Sequence, residues 1–146
     1  MPDNSPEIQD SIIIKLLKLY SEHEILSVKI IGVLDLISNS IESGNGEKVE
    51  IYSKIEKGLL DKLVKINLII NSFEEICFVT SEKLNKLRAI ALSNHNTIQI
   101  MDKIMKEKLK SALTFLLGEI DKFSLNPFYT HSLSSKIIPQ FVDISL

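Results

Sequence analysis

Residues 12–46 read IIIKLLKLYSEHEILSVKIIGVLDLISNSIESGNG, and this stretch decides the fold. Its apolar residues recur at steps of three and four: Ile12, Leu16, Leu19, Leu26, Ile30, Val33 and Ile37, with His23 in the same row. That spacing puts them on one face of a helix and follows a heptad pattern. A second stripe, Ile13, Leu17, Tyr20, Ile31 and Leu34, lies beside the first and widens the face, so the helix is expected to pack against two partners. Ser43-Gly44-Asn45-Gly46 then stops it, because glycine readily adopts the left-handed conformation that closes a helix C-terminus. At the other end, Ser5-Pro6-Glu7 supplies an N-cap, a residue suited to the first helical position and a charge that favours the positive end of the dipole. The first helix is predicted over 6–43.

A second helix is predicted over 47–77, with the seam Tyr52, Ile55, Leu59, Leu63, Ile66, Ile70, Phe73 and Cys77. Gly58 inside it costs about 1 kcal/mol relative to alanine unless a close helix contact uses it. Phe78-Val79-Thr80 reads as a break, with Thr80 or Ser81 capping the next helix. A third helix is predicted over 81–123. Its seam is Leu84, Leu87, Ala91, Asn94, Ile98, Met101, Met105, Leu109, Ala112, Leu116, Ile120 and Phe123. Asn126-Pro127 ends regular structure. No strand alternation is long enough for a sheet. The expectation is an all-α fold, an elongated three-helix antiparallel bundle with coiled-coil character over 1–123 and a loose, flexible C-terminal tail over 124–146.

Aligning these helix lengths draws the third helix level with the Gly44 turn near residue 111. Residues 112–123 would then project about 18 Å, at about 1.5 Å per residue. Ala112, Leu113, Phe115, Leu116, Leu117, Ile120 and Phe123 make that segment apolar around most of its circumference. It is expected either to be covered by the tail or to be reserved for a partner.

Composition excludes several classes. With 146 residues, 45% hydrophobic and 25% charged, the chain has the makeup of one soluble domain. A net charge of −2 argues against nucleic-acid binding, which needs a surplus of Lys and Arg. Lys103, Lys106, Lys108 and Lys110 are interleaved with Asp102 and Glu107, as on a solvated helix face. No apolar run approaches the roughly 20 residues that span a bilayer, and the polar start is not a signal peptide, so a cytoplasmic location without membrane insertion is expected. Cys77 is the single cysteine, which rules out a disulfide within the chain and suits a buried thiol. There is no phosphate loop, zinc spacing or nucleophile elbow, and the three histidines lack ligand partners at metal spacing. No enzyme activity, cofactor or metal is expected. His95 on a helix invites comparison with phospho-accepting histidines, but the residues that follow do not match that motif.

The polar cluster Leu92-Ser93-Asn94-His95-Asn96 interrupts the third helix with weak helix formers. Asn94, on the seam, is expected to be at least partly buried and to fix register. Leu87-Arg88 precedes the cluster, and Pro127-Phe128-Tyr129 follows the helix. With the turn at 43–46 and Lys54 and Leu59-Leu60 beyond it, this order of parts resembles the FlgN family of flagellar type III export chaperones. The family typically carries a leucine and two asparagines on its last long helix, matched here by Leu92, Asn94 and Asn96 with His95 between them. Ser93 stands where the first asparagine is usual, and Thr130 where the tail usually has a glycine after its tyrosine.

The resemblance implies a chaperone that binds C-terminal helical segments of the hook-associated junction proteins, FlgK and FlgL. It would keep them from assembling early and deliver them to the export gate component FlhA. The client face would lie on Met101, Met105, Leu109, Leu113, Leu116 and Ile120, and Tyr129 would dock at the gate. The alternatives are a scaffold coiled coil whose apolar faces serve self-association, for instance as a homodimer, and a histidine-phosphorelay bundle.

Overall fold

A computed structural model describes residues 6–76 and 78–123, with side chains to residue 121. The chain is an all-α three-helix bundle: α1 Pro6–Glu42, α2 Gly46–Ile76 and α3 Glu82–Phe123. There is no strand among the described residues. Each boundary follows from local chemistry. Pro6 opens α1 as its first helical residue. Gly44 closes it with φ +70°, and the amide of Asn45 donates to the carbonyl of Ser40 (2.9 Å) while that of Gly44 donates to Ile41 (3.1 Å). These two bonds form a Schellman motif, which satisfies carbonyls that the helix end leaves free. Asn45 then caps α2 by accepting from the amide of Lys48 (3.1 Å), and Ser81 caps α3 by accepting from that of Leu84 (3.0 Å).

The chain divides into two compact units. Unit one is drawn from Met1–Gly32 and Gly58–Ile98. Its core gathers Ile12 and Leu16 of α1, Ile70 of α2, Val79 of the connection and Leu84 of α3. Ile13, Leu17, Leu19, Tyr20, Ile66 and Phe73 pack against that cluster. The start of α1 thus meets the end of α2 and the start of α3, so α2 runs antiparallel to both. The turn into α3 is tied down by Arg88, the only arginine in the chain. Its Nε and Nη2 donate to the two carboxylate oxygens of Glu74 (3.0 and 2.9 Å), and Nη2 also donates to the carbonyl of Val79 (2.8 Å). Nη1 donates to Asn85 Oδ1 (3.1 Å), and the Tyr20 hydroxyl donates to Glu74 Oε1 (2.9 Å). The guanidinium lies 4.6 Å from the centre of the exposed Phe78 ring.

His23 is buried in the same unit, with Nδ1 3.4 Å from Ser27 Oγ. Burial holds its pKa below the ordinary value, a hydrogen bond with Asn67 works the other way, and His95 lowers it further.

Unit two is drawn from Val33–Lys57 and Gln99–Leu146. Leu34, Ile37, Val49 and Met105 are buried in it. Glu42 of α1 pairs with Lys108 of α3. On α2 the buried positions are Val49, Ser53 and Glu56, whereas Ile55 is 46% exposed. Of the expected seam, Ile55 is therefore turned outward and Tyr52 is only half-buried, while a polar pair takes the inner face. Periodicity weighs apolar residues only, so a serine and a glutamate on the inner face carry no signal.

No atom lies within 4 Å of a Cβ built on Gly58, so no close helix contact uses this glycine. Gly58→Ala is expected to stabilise the chain by about 0.5–1 kcal/mol, since alanine fits the helix and limits the unfolded ensemble. A denaturant midpoint that rises with unchanged slope checks this.

Candidate functional site

Two faces of α3 in unit two differ in what they meet. The seam expected to receive a client holds Met101, Met105, Leu109, Leu113, Leu116 and Ile120. Met105 is fully buried, which corrects its assignment: it is core and offers no surface to a partner. Met101, Leu109, Leu113 and Ile120 are half-buried, and Leu116 is exposed. A seam with the strongest period is the one the bundle itself covers, so its central residue is the least available.

The opposite case is the flank of the same helix. Ile100 is 60% exposed, Ile104 44% and Phe115 70%. At about 100° per residue these three fall within an arc of roughly 60°. Ser111 and Gly118, both exposed, fall in the same arc and keep it flat. Periodicity singles out Phe115 only as part of the apolar 112–123 segment and passes over Ile100 and Ile104, because a longer and more regular seam runs along the same helix. The stripe's exposure was not legible until the packing side of α3 was known.

Beyond Met105 the seam opens into a cavity of about 290 Å³. Leu109, Ala112, Leu113 and Leu116 line one side, and the α1–α2 turn from Ser40 to Glu50 lines the other. The segment expected to stand clear of the turn is thus flanked by it as far as Leu116. The cavity is roughly twice the ~150 Å³ that accepts a benzene ring, so it has room for an aromatic or two aliphatic side chains. At about 100° per residue Leu109, Leu113 and Leu116 fall on the side of α3 away from the stripe, so flank and cavity are two separate apolar features of this part of the helix.

The polar cluster lies in the part of α3 that belongs to unit one. Leu92 is 63% exposed, and His95 and Asn96 are exposed as well. Asn94 is half-buried, and its Nδ2 is buried without a hydrogen-bond partner. Tyr129 and Cys77 lie outside the described residues. Among the described residues no group of three His, Cys, Asp or Glu is placed to hold a metal ion. Among them, too, no helix is long and apolar enough to cross a membrane. Comparison of the chain with known protein families, with curated proteins and with solved structures returned no match.

Proposed function

We propose that this chain is an export chaperone of the flagellar type, which binds an amphipathic helical segment of a hook-associated junction protein such as FlgK or FlgL. One observation carries this reading: the exposed apolar stripe Ile100, Ile104 and Phe115 on α3. Exposed apolar surface gathered on one helix face is the kind that serves protein binding. An amphipathic helix laid along α3 would cover the stripe. Holding the client's apolar face would keep it from assembling early, and the client would then pass to FlhA, with Tyr129 as the docking residue.

The test pairs Ile104→Asp with Phe115→Asp in the full chain. Both sites are exposed, so helicity by circular dichroism should be retained. Binding of a junction protein's C-terminal segment, measured by calorimetry, should weaken at least about tenfold, equivalent to about 1.4 kcal/mol. Unchanged binding sinks the reading. If the stripe serves self-association instead, sedimentation will show the parent chain dissociating on dilution and the double variant monomeric throughout.

A further inference from the structure

Unit two buries a group of polar atoms that its packing leaves unmatched. Glu56 of α2 is fully buried, and neither of its carboxylate oxygens has a hydrogen-bond partner. Ser53, one turn earlier on the same face, is also buried, and its hydroxyl is unpartnered. From α3 comes Asp102, 6% exposed, with Oδ2 held by Lys106 at 2.8 Å and Oδ1 buried without a partner. The buried α1 residues of this unit, Leu34, Ile37, Ser38 and Ser40, carry no charge, and Asp35 and Glu42 of α1 are exposed. On α2 itself, Lys54 and Lys57 are exposed. The charged groups that act on Glu56 are thus Asp102, a like charge, and Lys106, whose ammonium is already paired with Asp102.

Counting donors decides what this arrangement needs. An ionised carboxylate only accepts, so with both acids charged the unmatched atoms hold three acceptors against the single Ser53 O–H. One added proton turns a Glu56 oxygen into a donor and removes the buried charge. We propose that unit two is a proton-dependent element: Glu56 is packed in its neutral form, and loss of that proton loosens the helices around it. Burial and the neighbouring Asp102 push the Glu56 carboxyl up to about 7, against an ordinary value of 4.5, with Lys106 acting in the opposite sense.

The sign follows from linkage. Between those two values the folded chain keeps a proton that the unfolded chain sheds, so stability falls as pH rises through about 7 and is level above it. The unfolding constant should rise by up to about two powers of ten across that window. His23 acts in the other direction, because its lowered value makes stability fall as pH drops below the ordinary 6.5. The comparison with Glu56→Gln cancels that contribution.

Thermal unfolding of the full chain and of Glu56→Gln is followed from about pH 5.5 to 8.5. The parent should lose stability towards high pH, the variant should lack that loss, and hydrogen exchange should show the difference in 33–57 and 99–121 ahead of unit one. Parallel pH profiles for the two proteins overturn the proposal. Should the variant fail to fold, infrared spectroscopy of the parent decides. A carbonyl stretch of an un-ionised carboxyl near pH 6 that vanishes by about pH 8 supports a protonated Glu56, and its absence at pH 6 refutes it.

Discussion

Arg88→Ala is expected to destabilise the chain by about 2–3 kcal/mol, the cost of leaving a largely buried carboxylate without its charged partner. The Arg88 and Glu74 side chains are each 18% exposed, so solvent screens their interaction little. Removing the guanidinium also strips the Val79 carbonyl of its donor and the Phe78 ring of its cation. These contacts hold the connection between α2 and α3, and Val79 belongs to the core cluster of unit one. Arg88→Lys should recover only part of the loss, since an ammonium cannot reproduce the planar two-pronged grip on Glu74. Lys54→Ala provides the contrast. Lys54 is 77% exposed in its pair with Glu50, and its removal should change stability by less than about 0.5 kcal/mol. Equal effects of Arg88→Ala and Lys54→Ala in urea unfolding would show that the α2–α3 connection does not depend on this arginine.

Met105→Ala is expected to cost about 2–5 kcal/mol, the range for truncating a fully buried large side chain and leaving a cavity. Met105→Leu should cost less than about 1.5 kcal/mol, because the volume is nearly kept. Phe115, on the same helix but 70% exposed, should tolerate alanine with little change in stability. The two residues therefore separate folding from binding. Met105→Ala is expected to lower the unfolding midpoint, and a change at Phe115 to weaken the proposed client binding. A Met105→Ala chain as stable as its parent would remove Met105 from the core and reopen the expected client face.

The helices themselves were legible from residue order. The expected spans 6–43, 47–77 and 81–123 agree within a residue at each end with Pro6–Glu42, Gly46–Ile76 and Glu82–Phe123. Gly44, Pro6 and Ser81 announce these ends because the chemistry of a helix terminus is local. It needs a left-handed residue, a missing amide or a side-chain acceptor within a few positions. The α1 seam was legible for a related reason. Ile12, Leu16, Ile30 and Ile37 share one face, and all four are buried.

What the order of residues could not decide is which side of a helix the rest of the protein covers when two sides are apolar. On α3 both the Met105 seam and the Ile104–Phe115 stripe are greasy enough to pack, and only the positions of α1 and α2 bury the first and bare the second. Nor could periodicity find Glu56, Asp102 or Arg88, since a charged residue reads as surface until its partner is known. Lys106 lies one turn from Asp102, but Glu74 reaches Arg88 across the connection between α2 and α3, and Glu56 meets Asp102 from a different helix. Tertiary structure decided these matters because burial and charge pairing depend on groups far apart in the chain, whereas helix ends and seams depend on neighbours a few residues away.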